Sequence, residues 1–250
     1  MASTINASTS SGIVQTADTS GVLQLQTNGT ATITINTSGA VGVGSSPGYG
    51  TSGQVLTSAG TGAAPTWSTP SVSAMTLLNT LTASNNATLS DATSLTSAYD
   101  LYMFEFENIV PATDSQPFYI RVSTNGGSSY LATGYVANWT ILGGNVSNEA
   151  STIAINIGGA TATTNNIANT AGYGLSGTFY LTAPSSTTVR KYIWGSGAFY
   201  GYNQVSAPGL WTYQHTGLQN SNTSINAIQF LFASGNITSG KVRIYGIKTS

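Results

Sequence analysis

Apolar side chains recur at every second position along much of this chain. No segment holds the 3.6-residue period over the roughly 11 residues of an average helix. Phe118, Ile120 and Val122 alternate with Tyr119 and Arg121. Ile153, Ile155 and Ile157 alternate, as do Ile228, Phe230 and Phe232. Tyr99, Leu101, Met103 and Glu105 fall on one face of their segment, and Tyr102, Phe104 and Phe106 on the other. A period of two puts neighbouring residues on opposite faces of a strand. Clusters of Gly, Asn, Ser and Pro break the runs as turns do. The chain reads as all-β.

The spacing predicts strands at 75–81, 99–109, 117–124, 129–137, 150–157, 174–182, 188–195, 197–203, 210–216, 225–232 and 240–247. Asn125-Gly126 predicts a hairpin between Val122 and Tyr130, because both residues accept positive φ. Val242, Ile244 and Gly246 share a face of the last strand. Many short strands of this kind indicate an antiparallel β-sandwich, jelly-roll-like, over residues 71–250.

Two thinner regions precede it. Residues 1–44 comprise a Ser/Thr/Ala-rich attachment arm and a short hairpin. The hairpin alternates through Val22, Leu23, Leu25, Ile33 and Ile35, turns at Thr37-Ser38-Gly39, and resumes at Val41 and Val43. Residues 45–70 form a Gly/Pro-rich connector, with Val55-Leu56 and Trp67 bracketing one tight turn. A two-stranded hairpin is marginal by itself. Neighbouring copies would supply further strands and cover its edges. Val41, Val43, Leu56 and Trp67 are therefore the candidates for packing between copies or within the connector. The N-terminal region is expected to be extended and intertwined.

Composition narrows the function. Asp, Glu, Lys and Arg make up 5% of the 250 residues, and the net charge is −1. An ordinary soluble domain carries about 25%. Six Lys and Arg supply no basic stripe for phosphates, so nucleic acid is not an expected partner. Weak charge repulsion suits a surface covered in an assembly. Disorder goes with low hydrophobicity and high net charge, and neither holds fully at 40% hydrophobic residues. There is no cysteine, so disulfides, thiolate catalysis and cysteine metal sites are excluded. No apolar stretch approaches the roughly 18 residues of a membrane helix, so no membrane insertion is expected. The N-terminus does not read as a signal peptide. Asn-x-Ser/Thr triplets such as Asn28-Gly29-Thr30 and Asn138-Trp139-Thr140 are expected by chance in so Ser/Thr-rich a chain.

Chemistry-bearing residues are few. One histidine, His215, cannot make a zinc site alone, and reads as a strand-end surface residue or a pH-insensitive packing residue. Glu105 and Glu107 share a strand face. A carboxylate pair can run glycoside hydrolysis or hold a cation, but a cross-strand pairing with Arg121 is the simpler reading. Catalytic residues, metals and cofactors are expected to be absent. The richest aromatic interval spans Tyr192-Ile193-Trp194, Phe199-Tyr200-Gly201-Tyr202 and Trp211-Thr212-Tyr213. Such aromatics serve as core, as subunit interface or as glycan contacts. Tyr200, Tyr202 and Asn203, flanking a turn, are the candidates for exposed receptor contact.

Two segments resemble stretches common in bacteriophage tail-fibre and related virion proteins. One is Thr30-Ala31-Thr32-Ile33-Thr34-Ile35 with Gly39-Ala40-Val41-Gly42-Val43-Gly44. The other is Gly53-Gln54-Val55-Leu56-Thr57-Ser58-Ala59-Gly60-Thr61-Gly62 with Pro65-Thr66-Trp67. Gly240-Lys241-Val242-Arg243-Ile244-Tyr245-Gly246 resembles a closing strand of phage β-sandwich domains. The resemblance implies a noncatalytic, homotrimeric virion component, assembled in the bacterial host cytoplasm and exposed on the particle. Its N-terminal region would attach to other virion proteins. Its C-terminal domain would point outward, onto a host surface glycan or protein. The chain lacks a heptad stalk, which leaves a short tail fibre, a head fibre or a capsid decoration protein open.

Overall fold

The computed structural model describes residues 20–70, 74–141, 145–157, 166–202 and 208–248. The chain divides into two units, Met1–Val72 and Ser73–Ser250. Regular structure among the described residues is entirely β. The arm up to residue 19 lies outside the described residues.

In the first unit β1 (Leu23–Thr27), β2 (Thr30–Ile35) and β3 (Val41–Val43) form an antiparallel meander. The expected hairpin is thus three strands. Asn28 and Gly29 take φ of 51° and 74° and close a two-residue turn between β1 and β2. Asn-Gly favours such a turn because both central residues need positive φ. The register pairs Leu23 with Ile35 and Leu25 with Ile33. It also pairs Ile35 with Val41 and Ile33 with Val43. All six aliphatic residues therefore share one face. On the other face Pro47 and Tyr49 close over Gly42.

β4 (Val55–Thr57) and β5 (Thr66–Ser68) make a separate hairpin in which Leu56 faces Trp67. Trp67 packs against Gly50, where an added Cβ would lie 2.8 Å from the indole. Thr34 and Gly42 are buried in this unit, but none of its described apolar side chains is.

The second unit is two facing antiparallel sheets. The larger contains β6 (Met75–Thr82), β8 (Leu101–Pro111), β10 (Tyr135–Ile141), β11 (Asn145–Thr152), β13 (Asn166–Ile167), β14 (Leu175–Thr182), β15 (Lys191–Tyr202), β16 (Pro208–Gln219) and β18 (Ile237–Ile247). Its order is β11-β10-β16-β15-β14-β8-β18-β6, with β13 beside β15. The smaller contains β7 (Leu89–Asp91), β9 (Phe118–Ser123), β12 (Ile155–Ile157) and β17 (Ala227–Phe232), ordered β12-β9-β17-β7.

Alternation sets the core. Phe104 and Phe106 face inward from β8, Phe118 from β9 and Phe230 from β17, all essentially inaccessible. Phe106 meets Phe118, Phe179 and Phe230 edge-to-face at 5.5, 5.5 and 5.3 Å. Edge-to-face rings gain electrostatically as well as by burial.

Several expected boundaries shift. The segments 188–195 and 197–203 are one continuous strand, β15. The segment 150–157 breaks after Thr152, so that β11 and β12 join different sheets. The three-residue β7 carries no readable period. Asn125-Gly126 does turn the chain, with Gly126 at φ 70°. It does not close a hairpin, because β9 pairs with β12 and β17, whereas β10 joins the larger sheet. Asn125 Oδ1 accepts from Ser129 N, and Ser123 Oγ from Gly127 N, which rolls the segment into a compact loop.

Candidate functional site

Odd-numbered residues of β14, β15 and β16 face the core, among them Phe179, Leu181, Ile193, Phe199, Tyr213 and His215. The even-numbered residues therefore point outward. Register sets them in transverse rows. Met103, Tyr180, Trp194 and Thr216 form one row, and Glu105, Thr178, Ser196 and Gln214 the next.

Tyr180 and Trp194 stack, with ring centroids 4.4 Å apart and planes 20° apart. Trp194 remains 44% exposed. Beside the stack lies an open depression of about 280 Å³, lined by Thr178, Tyr180, Trp194, Gly195, Ser196, Gln214, His215 and Thr216. Among the described residues, no hydrogen bond engages the side chains of Thr178, Ser196, Gln214 or Thr216.

The depression carries no formal charge at neutral pH. His215 contributes to its lining from a buried position in mid-strand, which corrects the strand-end surface reading and leaves the packing one. Burial pushes its imidazole down to about 4, with the Asn156 backbone opposing only in part.

Beneath the same sheet Gly177 and Gly197 face each other across β14 and β15. The Tyr213 hydroxyl fills the space their side chains would take, and a Cβ on Gly177 would lie 2.7 Å from it. Only glycine at this pair lets the Tyr213 ring lie against the strands.

The carboxylates are tied up structurally. Arg243 of β18 bridges Glu105, at 3.4 Å, and Glu107. The Tyr245 hydroxyl donates to Glu105 at 3.0 Å. This corrects the expected pairing with Arg121, whose Nε instead donates to the Ile153 carbonyl. Arg121 sits on β9 in the other sheet, which the strand pattern alone does not reveal. The hydrogen bond from Arg243 to Glu107 raises the guanidinium pKa further. No cluster of three His, Cys, Asp or Glu occurs among the described residues.

The aromatic interval divides by parity. Phe199 and Tyr213 are core. Trp211 is half-buried, and its indole N–H donates to the Gly201 carbonyl at 3.0 Å. Tyr200 is half-buried on the outer face, its ring 4.7 Å from that of Tyr173. Tyr202 is half-buried, and its hydroxyl bonds to Asp114, which raises its pKa. Asn203 lies outside the described residues. Tyr200 and Tyr202 thus lie along the same strand as Trp194 but outside the depression. Sequence reasoning grouped Trp194 with the interval and did not single it out. The signal was available in Tyr180 and Trp194, outward-facing aromatics on adjacent strands, but their register was not.

No family model, curated protein or solved structure matches the chain.

Proposed function

We propose that this chain is a noncatalytic structural protein of a bacteriophage virion, a short tail or head fibre. It assembles as a homotrimer through the N-terminal unit and presents the second unit outward. One observation carries the reading. Leu23, Leu25, Ile33, Ile35, Val41 and Val43 share a face of the β1–β3 sheet, yet Leu23, Leu25, Ile33 and Val41 are 36–44% exposed. A three-stranded sheet needs a covered apolar face to persist in water. Copies of itself are the fitting cover. The face is uncharged, and covering the exposed remainder of each side chain contributes less than the roughly 1.5–3 kcal/mol of a full burial.

The strand order supports a jelly roll for the second unit. β6-β18-β8-β14 opposite β7-β17-β9-β12 is the order of two interlocked Greek keys. The hairpins β10–β11 and β15–β16 are then insertions that widen one sheet. The ion-paired state of Glu105 and Glu107 supports a noncatalytic role. Tyr200, Tyr202 and Asn203 belong to this reading as an outward contact for a host surface glycan or protein.

Light scattering on the full-length chain tests the assembly. A three-chain mass in dilute solution is expected, and a stable monomer overturns it. Antibody against the second unit should decorate the exterior of intact particles in electron micrographs. Unlabelled particles would remove the virion assignment.

A further inference from the structure

We infer that the depression beside Trp194 is a binding site for one neutral saccharide residue. Trp194 and Tyr180 would supply the apolar wall, with Ser196, Gln214, Thr178 and Thr216 meeting the hydroxyls. The inference names a ligand class for the outward unit, at residues other than Tyr200 and Tyr202, and holds whether or not the protein is a virion component.

A sugar ring has C–H faces and a rim of hydroxyls that both donate and accept. The site must then offer an aromatic surface next to groups able to do both. Aromatic rings provide the first, and Ser, Thr and Gln provide the second. Here Tyr180 and Trp194 share one transverse row with Thr216, and Thr178, Ser196 and Gln214 occupy the next row of the same sheet. The side chains of Thr178, Ser196, Gln214 and Thr216 have no hydrogen-bond partner among the described residues, so binding breaks no bond described there.

Charge selects the class. Phosphate, sulfate and carboxylate ligands are recognised by Arg or Lys, and neither lines the depression. Glu105 is the nearest carboxylate in the rows, paired with Thr178, and it is engaged by Arg243 and Tyr245. A volume of about 280 Å³ lies at the small end of the usual ligand range of about 300–1,000 Å³. It suits one monosaccharide unit of a longer glycan. A single such contact is weak, and several copies on one assembly would raise it by valency.

The test is titration of the full-length protein with lactose, maltotriose, chitobiose and mannobiose, beside anionic 3′-sialyllactose, followed by saturation-transfer NMR. At least one neutral saccharide should bind, with no gain from the sialyl group. Trp194→Ala should weaken that binding by about tenfold, the loss of one aromatic contact. Gln214→Ala leaves the stack in place and should weaken it severalfold. Tyr192→Ala, an exposed aromatic in the neighbouring row, should leave it unchanged. All three variants should keep the wild-type assembly mass and melting temperature. Absence of neutral-saccharide binding at millimolar concentration overturns the inference. So does unaltered binding by both Trp194→Ala and Gln214→Ala, or a change of assembly mass in Trp194→Ala, which would make this face a contact between copies. A monomeric wild-type protein that still binds saccharide through Trp194 would overturn the trimer and leave this site standing.

Discussion

The buried hydroxyl of Tyr135, on the larger sheet, accepts the backbone N–H of Val122, on the smaller one, at 2.9 Å. It also donates to the Leu131 carbonyl at 3.1 Å. One side chain thereby ties β10 to β9 and closes the loop between them. Tyr135→Phe keeps the ring and strands a buried N–H, which costs about 1–3 kcal/mol. Urea unfolding should show that loss as a lower midpoint with an unchanged slope. Burial pushes the phenol up to about 12. Its folded pKa exceeds its unfolded value of 10.0, so stability should also fall as pH rises from 10 towards 12, and less so in the Phe variant.

Tyr213 makes the opposite prediction. Its hydroxyl is buried between Gly177 and Gly197 and has no hydrogen-bond partner among the described residues. Removing an unsatisfied polar group from a core is neutral or stabilising. Tyr213→Phe should leave the melting temperature unchanged or raise it. A loss comparable to that of Tyr135→Phe would mean that the hydroxyl is satisfied.

His215 sets an acid limit. Its folded pKa is about 4 against 6.5 unfolded. Between those values the unfolded chain binds more protons, so stability falls as pH drops from 6.5 to 4, by roughly 3 kcal/mol in all. Chemical denaturation across that range should show the slope, and His215→Gln should flatten it.

Asp91 adds a loss at still lower pH. Burial acts to raise its carboxyl, but hydrogen bonds from Asn79, Ser94 and Thr93 outweigh this and hold its pKa below 3.8. The carboxylate therefore contributes stability above pH 3.8 that disappears below it. Asp91→Asn should lower stability at neutral pH by about 1–3 kcal/mol and narrow the gap to wild type in acid.

The six-residue aliphatic face can be tested without touching the sandwich. Leu25→Asn with Ile33→Asn should lower the assembly mass measured by light scattering. It should leave the near-ultraviolet dichroism of the Phe104/Phe106 core unchanged. Retained three-chain mass would show that this face does not hold the copies together.

The inward rows were legible in the sequence. Phe118, Ile120 and Val122, or Ile228, Phe230 and Phe232, announce their buried face by period alone. Pairing was not legible, because period two says which way a side chain points and not which strand lies beside it. Thus Glu105 was matched to Arg121 rather than Arg243, and Trp194 was not matched to Tyr180. Asn28-Gly29 was legible and was passed over as a chance triplet. β7 was invisible because Leu89–Asp91 is too short to carry a period, and its Asp91 is held by side-chain hydrogen bonds instead.

The hairpins β10–β11 and β15–β16 follow β9 and β14 in the chain, and their inward residues Tyr135, Ile193, Phe199 and Tyr213 belong to the core. Their outward residues answer to a looser constraint, since Trp194, Gln214 and Thr216 are exposed and lie outside that core. A lineage or an engineer could therefore rewrite the even-numbered positions of that overhang and retune the chemistry of the outer face, while the odd-numbered positions on which folding depends stay as they are.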